Sequence, residues 1–139
     1  MDPFFIKGGI HRDHRGTLRF INGFQLERIK RFYVIKNDNT NTIRAWQGHR
    51  LETKYFYCIA GSFTIHLVLI DDWMNPSYDL PVFNYELNEE TSEILVVPPG
   101  YANGIKSVKK NSQLLVYSDK TLEESGKDDY RFALNYWNI

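Results

Sequence analysis

The chain has 139 residues, of which 42% are hydrophobic and 15% aromatic. This is the length of one domain with its own core, so residues 1–139 are expected to form a single domain. Seventeen basic and 17 acidic residues give a net charge of zero, which provides no overall field to attract nucleic acid or a membrane surface. The N-terminus lacks the apolar run of a signal peptide, and no stretch approaches the roughly 20 apolar residues of a membrane span. We therefore expect a soluble cytoplasmic protein.

The N-terminal third predicts three short strands. Residues 4–10 are apolar but interrupted by two glycines, which favours a short opening strand. Residues 11–16 are polar and predict a turn, and the alternation over residues 17–21 predicts the next strand. A further strand is predicted over residues 30–36, because Asn, Asp and Thr fill the five positions that follow it.

The centre of the chain predicts a β-hairpin preceded by a polar run. Residues 55–60 and 63–70 are dense in aromatic and β-branched side chains, and Ala60, Gly61 and Ser62 between them suit a tight turn. The polar side chains just before this hairpin stand mostly at alternate positions, which on a strand sends them to one face. That face is the candidate site, with the side chains Arg44, Gln47, His49, Arg50, Glu52 and Lys54.

The C-terminal half continues the series of strands. Residues 71–81 predict a surface loop, and residues 121–127 predict one helical turn. The aromatic tail, residues 130–139, is expected to pack on the body of the domain. Strands are predicted over residues 83–87, 93–97, 104–108 and 113–118. Strands at this spacing, with turn residues between them, indicate an all-β sandwich or barrel.

Three side chains of the polar run are candidates for chemistry. His49 is a proton carrier near neutral pH, although the pattern is equally that of a surface histidine. Arg44 can bind a phosphate through two nitrogens and Lys54 can supply a point charge, or both can be solvated charges at the rim. The tyrosines are numerous enough for one of them to act as an acid or stack on a flat base, although aromatic side chains on strands usually belong to the core. They are Tyr33, Tyr55, Tyr57, Tyr101 and Tyr117.

A metal site is not expected. Small β-barrels of this size often bind a metal through two closely spaced histidines, a carboxylate and a later histidine. Here Gln47 precedes His49 at the first position, and the later position is Asn103. Amide side chains are poor ligands for zinc or iron, so we predict neither a metal nor another cofactor.

Three segments carry a family resemblance, namely IKRFYVI (29–35), IRAWQGHRLETKYFYCIAGSFTIHL (43–67) and ILVVPPGYANG (94–104). They resemble the cupin-type nucleotide-sugar enzymes, the dTDP-4-dehydrorhamnose 3,5-epimerases and the dTDP-sugar 3,4-ketoisomerases, and the resemblance spans residues 13–120. It implies a single-domain cupin jelly-roll β-barrel that forms a homodimer. It also implies a dTDP-4-keto-6-deoxyhexose substrate, no metal, and removal of the proton next to the keto group.

The resemblance implies roles for individual residues. Arg15 and Arg44 resemble the arginines that hold the pyrophosphate, and Lys54 resembles the lysine that stabilises the enolate oxygen. His49 matches the second of two ketoisomerase histidines, and Tyr33 matches a ketoisomerase tyrosine.

Other positions depart from the pattern. Gln47 stands where both enzyme groups have a histidine, and Asn103 stands where a further histidine is expected. With Tyr101 they are expected to contact the sugar nucleotide. No tyrosine follows Ser118, where the epimerases have their catalytic one, and the aspartate that supports the epimerase base belongs to a region beyond the last residue of this chain.

Three hypotheses follow. The first is a metal-independent isomerase or epimerase of polysaccharide sugar biosynthesis with His49 as base, and the surviving residues fit a 3,4-ketoisomerase better than an epimerase. The second is a nucleotide-sugar-binding module without catalysis. The third is a metal-dependent cupin oxygenase, which a bound transition metal would support.

Overall fold

The computed structural model describes all residues, 1–139, as twelve β-strands and one short helix. The strands are β1 (Phe4–Lys7), β2 (Gly9–Asp13), β3 (Gly16–Phe20), β4 (Arg31–Ile35), β5 (Ile43–Gly48), β6 (Lys54–Ala60), β7 (Ser62–Leu69), β8 (Phe83–Asn88), β9 (Glu93–Val97), β10 (Tyr101–Ser107), β11 (Gln113–Ser118) and β12 (Tyr130–Arg131). The helix, α1 (Leu122–Gly126), begins with a capping box between Thr121 and Glu124. The all-β prediction is confirmed. The structure contains no helix of the length and apolarity needed to cross a membrane.

Two five-stranded antiparallel sheets face each other as a cupin-like jelly roll. One has the order β1-β9-β6-β11-β4 and the other the order β12-β5-β10-β7-β8. Alternate side chains of the central strands enter the space between the sheets, among them Phe56, Cys58, Ile65, Leu67 and Val116, each at most 1% exposed. Tyr33 and Ile35 of β4, a strand that also borders the cavity described below, pack against this core.

A second apolar cluster covers the outer face of the β5-β10-β7 sheet. Trp46 and Trp137 meet edge to face with ring centroids 5.3 Å apart, and the indole of Trp46 donates to the carbonyl of Leu134. The tail also extends the sheet, because Tyr130 and Arg131 pair with the end of β5. The predicted packing of residues 130–139 on the body is confirmed. This packing anchors the C-terminal side of the loop over residues 127–129.

Three boundaries differ from the sequence expectations. The opening strand predicted over residues 4–10 ends at Lys7, and β2 begins at Gly9. Residues 11–13 are not part of a turn but belong to β2, which pairs with β3 in a hairpin that turns at His14 and Arg15. Polar side chains are tolerated there because both faces of this two-stranded sheet are largely exposed. Strand β10 begins at Tyr101 rather than at residue 104, since residues 101–103 pair with Leu67–Leu69 and this pairing outweighs the turn preference of Asn and Gly.

Candidate functional site

A cavity of about 820 Å³ opens between the two sheets, and residues of β4 and β5 line it. Its wall contains five cationic side chains, Arg31, Lys36, Arg44, Lys54 and Arg131, and one acidic side chain, Asp129. The chain as a whole is neutral, so the cavity concentrates positive charge in one place. The volume is in the range of small-molecule sites, and the charge favours an anionic ligand.

A β-bulge brings two predicted site residues to the same wall. Gln47 lies opposite Asn103, whereas Arg44 lies opposite Ile105, so three steps on β5 match two on β10. Regular alternation would send Arg44 and Gln47 to opposite faces, but the extra residue turns both toward the cavity. All three polar side chains, Arg44, Gln47 and Asn103, line the cavity.

Gln47 is held at both ends of its amide. Its Oε1 accepts a hydrogen bond from Lys54 Nζ at 3.1 Å, and its Nε2 donates to Asp129 Oδ1, also at 3.1 Å. Asp129 in turn accepts from Arg131 Nε at 2.7 Å. Burial raises the pKa of Asp129, but the hydrogen bonds from Arg131 and Gln47 outweigh it, and the pKa is lowered overall. A carboxylate therefore lies in the wall of an otherwise cationic cavity.

Arg44 is oriented by a second amide. Its Nε donates to Asn37 Oδ1 at 2.7 Å, and Asn37 Nδ2 donates to Ser107 Oγ at 3.0 Å. The two terminal guanidinium nitrogens of Arg44 make no hydrogen bond within the protein. This arrangement leaves both terminal nitrogens available for two oxygens of a phosphate.

Tyr33 lies under two cations. The Cζ atom of Arg31 is 5.2 Å from the Tyr33 ring centroid, and Lys54 Nζ is 5.7 Å from it. Tyr33 and Arg31 share the inward face of β4 because they are two residues apart. The predicted pair Tyr33 and Lys54 is thus brought together in the cavity wall.

His49 is buried and has a defined tautomer. Its ring lies 3% exposed just beyond the end of β5, outside the set of residues that line the cavity. Its Nδ1 donates to the main-chain carbonyl of Asp128 at 2.7 Å, so this nitrogen carries the proton of the neutral ring. The other nitrogen, Nε2, is buried without a partner. Its lone pair accepts no hydrogen bond from any protein group.

Two buried acids from different parts of the chain surround His49. The Asp128 carboxylate accepts from the backbone N–H groups of Arg50, Leu51 and Glu52 at 2.7–2.9 Å, which fixes the turn after β5. Glu52 is 1% exposed, and its Oε1 lies 3.5 Å from His49 Nδ1. The sequence predicted no carboxylate partner for the histidine, because Asp128 is 79 residues away along the chain.

The surroundings of His49 act on its pKa in opposite directions. Burial lowers the pKa below its ordinary value of 6.5, and the Lys54 cation lowers it further. Glu52 and Asp128 oppose these effects but do not cancel them. The ring is therefore neutral at physiological pH, which is the state that a general base requires.

The cluster of His49, Glu52 and Asp128 has the composition of a metal site, with ligand atoms within 4.8 Å of one another. All of its donor atoms except His49 Nε2 are nevertheless engaged by the protein. Asp128 binds three backbone N–H groups, and Glu52 accepts from the hydroxyl groups of Ser118 and Ser125 at 2.8 and 2.6 Å. His49 Nδ1 points its proton at a carbonyl. These residues therefore do not fit a resident cation.

Two predicted contacts lie away from the cavity. Arg15 is at the tip of the β2–β3 hairpin, 77% exposed, and its Nη2 pairs with Asp13 at 2.7 Å. Tyr101 is 5% exposed within the apolar core, where burial raises its pKa. The expectation that Tyr101 contacts the ligand is not supported by this placement, because its ring lies among core side chains.

Other cavity residues escaped the sequence analysis. Arg31 had a usable signal, since it alternates with Tyr33 on the same strand. No sequence signal identified Asp129, Arg131 and Phe132, because the tail reaches the cavity only through the pairing of β12 with β5. Ser125 arrives through α1, whose position no local pattern reveals.

Comparison with solved structures gives the same architecture. A double mutant of the 3,4-ketoisomerase QdtA from Thermoanaerobacterium thermosaccharolyticum, in complex with TDP, is 25% identical, with a TM-score of 0.73 over 98% of this chain and 91% of that one. A dTDP-4-dehydrorhamnose 3,5-epimerase from Bacillus anthracis, with TDP and pyrophosphate bound, gives 0.77 at 16% identity over 96% and 80%. The TDP-quinovose 3,4-ketoisomerase WlaRB from Campylobacter jejuni gives 0.69 at 19% identity over 96% and 95%. At these last two identities the likeness concerns the fold. A search of curated proteins gives no match.

Fold and site together define a cupin-like β-barrel with a cationic cavity between its sheets. The chain belongs to the FdtA family (WxcM-like, C-terminal), whose model matches residues 3–137. The resemblance read from the sequence is thereby confirmed at the level of the family.

Proposed function

We propose that the protein is a metal-independent 3,4-ketoisomerase of a dTDP-4-keto-6-deoxyhexose, in the cytoplasmic biosynthesis of a polysaccharide sugar. The observation that carries the proposal is the neutral His49, whose Nε2 is free, next to a cavity rich in cations. Family membership supports the reaction class, and the related QdtA was crystallised with TDP.

The cations of the wall suit the two ends of such a substrate. Arg44 faces the cavity with two unpaired terminal nitrogens, as a pyrophosphate requires. Lys54 suits the keto end, because its present acceptor is the amide oxygen of Gln47, which has the same chemical character as a ketone oxygen. In the complex, the 4-keto oxygen replaces Gln47 Oε1 as the acceptor for Lys54, and the displaced Gln47, with Asn103, hydrogen-bonds the sugar.

The reaction transfers one proton between adjacent carbons. His49 Nε2 removes the proton from C3, and the electron pair of the C3–H bond forms the C3=C4 double bond while O4 becomes an oxyanion beside Lys54. Tyr33 then gives a proton to O4 and recovers one from the hydroxyl on C3. The imidazolium of His49 returns its proton to C4 as the carbonyl forms at C3. The base and the acid both end in their starting states.

His49 is buried in the ligand-free chain, so this chemistry requires access to Nε2. Gln47 and His49 are two residues apart, and Gln47 lines the cavity together with Lys54. The substrate itself opens the Lys54–Gln47 hydrogen bond, because its keto oxygen replaces Gln47 as the acceptor for Lys54. Active-site hydrogen bonds commonly reach their working geometry only in the complex.

We further propose that two copies associate through the free edge of β4. Phe32 is 66% exposed on the outer face of this strand, and Leu18 and Phe20 of the β2–β3 hairpin are also exposed. In such a dimer the β2–β3 hairpin of one copy brings Arg15 to the cavity of the other copy, where Arg15 keeps its predicted role of binding the pyrophosphate. Light scattering at micromolar concentration should give twice the chain mass and, for Phe32→Asp, the chain mass. The control is Met74→Asp, at an exposed residue elsewhere, and a monomeric parent protein would contradict the proposal.

The deciding experiment is an NMR time course with dTDP-4-keto-6-deoxyglucose in deuterated water. Deuterium at C3 of recovered substrate and at C4 of a 3-keto product would support the ketoisomerase. Deuterium at C5, or inversion at C3 and C5, would indicate an epimerase instead. His49→Ala should abolish the exchange.

The second candidate function is a nucleotide-sugar-binding module without catalysis. It is favoured by Gln47, an amide at the position of a catalytic histidine that is bound at both ends by Lys54 and Asp129. Perturbed ligand signals without any deuterium uptake would select this function. Metal analysis of the same sample tests the cupin oxygenase, which a stoichiometric transition metal would support.

A further inference from the structure

Glu52 is a fully buried carboxylate that the proposed reaction does not yet use. Its Oε1 accepts from Ser125 Oγ and its Oε2 from Ser118 Oγ, at 2.6 and 2.8 Å. Both donors are neutral hydroxyl groups. They orient the carboxylate and satisfy its lone pairs, but they do not neutralise its charge, and an uncompensated buried charge is costly.

Two groups near Glu52 can balance that charge. Arg31 Nη2 lies 3.6 Å from Oε2, and His49 Nδ1 lies 3.5 Å from Oε1. Arg31 is permanently cationic, whereas His49 becomes cationic only when Nε2 accepts a proton. The carboxylate is thus placed to interact with the protonated form of the ring more strongly than with the neutral form.

The Asp128 side chain takes a smaller part than Glu52 in raising the pKa of His49. Its two carboxylate oxygens already accept three backbone N–H groups, and only its main-chain carbonyl contacts the imidazole. The carbonyl fixes the tautomer, and of the two carboxylates Glu52 has the larger effect on the ring. The other charged groups that act on His49 are Lys54, which disfavours its cation, and Asp129, whose carboxylate lies in the cavity wall.

We propose that Glu52 is a positioning residue for His49, whose buried carboxylate stabilises the imidazolium formed when Nε2 takes the substrate proton. The proposal rests on the proposed function for its catalytic purpose. Serines from β11 and α1 hold the carboxylate in place, so the base is supported by three separate parts of the chain. Glu52 acts through His49 and does not touch the substrate.

The test is a titration of His49 in the ligand-free protein by long-range ¹H–¹⁵N NMR. The parent protein should show the neutral ring protonated at Nδ1. In Glu52→Gln, which keeps the shape and removes the charge, the pKa of His49 should fall by about one unit or more. The control is Glu86→Gln, at an exposed carboxylate that accepts from Thr64, and it should leave the titration unchanged. An equal or higher pKa of His49 in folded Glu52→Gln overturns the proposal.

A second measurement needs no variant and decides the matter if Glu52→Gln does not fold. The side-chain carboxyl ¹³C signal of Glu52 in the parent protein should shift with the same midpoint as the His49 ring. A Glu52 signal that ignores the His49 titration overturns the proposal.

Kinetics separate this proposal from the proposed function. The acidic limb of the deuterium-exchange profile should move to lower pH in Glu52→Gln, in step with the NMR titration, and a limb that stays in place overturns the role of Glu52. If the parent protein exchanges no deuterium although the titration shifts, the proposed function fails while the coupling between Glu52 and His49 stands.

Discussion

His49 and His66 have the same local arrangement in different surroundings. Each ring is buried, each donates from Nδ1 to an oxygen at 2.7 or 2.6 Å, and each has an Nε2 without a partner. His66 lies on the outer face of β7, because Ile65 and Leu67 enter the core, and its oxygen partner is the neutral amide of Asn84. It takes part in no ion pair.

The difference between the two sites is electrostatic. Around His49, the groups that act on the ring include one cation, Lys54, and two acids, Glu52 and Asp128, and Lys54 also lines the cationic cavity. A buried, unpartnered nitrogen is therefore no sign of catalysis by itself. The combination of such a nitrogen with nearby charges of both signs distinguishes a base from a histidine that completes a sheet face.

The sharpest way to break this comparison is to remove each ring in turn. His49→Gln should lower the rate of deuterium uptake at C3 by about 10²–10⁴-fold, because the proton acceptor is lost. His66→Gln, the matched control, should retain the parent rate in the folded protein. Equal losses in the two variants would contradict the assignment of His49, and the NMR time course measures both.

Removal of the cation beside His49 is expected to have the next largest effect. Lys54→Met keeps the apolar stem and should reduce kcat by about 10²–10³-fold, since the enolate oxygen loses its fixed positive charge. Binding of dTDP, measured by calorimetry, should change much less, because the nucleotide does not contact the keto end. A kcat near that of the parent protein would exclude Lys54 from the oxyanion role.

Arg44 tests the anionic end of the cavity. Arg44→Lys keeps the charge but loses the two-nitrogen geometry, so KM should rise about tenfold or more while kcat falls little. Lys36→Arg changes a neighbouring cation of the wall without removing its charge and serves as control. An unchanged KM for Arg44→Lys would remove the pyrophosphate from this part of the cavity.

The sequence predicted the fold better than it predicted the surroundings of the base. Strand alternation and turn residues located most strands, and the resemblance located His49, Lys54 and Arg44. The bulge in β5 was not predictable, because it depends on pairing with β10. Two contacts were also not predictable, that of Asp128 with His49 and that of Ser125 with Glu52, because the partners are 79 and 73 positions apart along the chain. Local patterns assign Ser125 and Asp128 only to a tail. Tyr101 was expected to contact the sugar nucleotide, and its ring lies in the apolar core.

The smallest expected effect concerns stability. The pKa of His49 in the folded protein is lowered by burial and by Lys54, so the unfolded chain binds a proton at a higher pH than the folded one. The contribution of the neutral ring to the free energy of unfolding is therefore complete above pH 6.5 and is lost as the pH falls from there through the lowered pKa. Denaturant unfolding between pH 7.5 and 5.5 should show the parent protein losing up to about 1.4 kcal/mol per pH unit relative to His49→Gln in that window. Parallel curves for the parent protein and His49→Gln would mean that the ring does not resist protonation, and the neutral base would then lose its physical support.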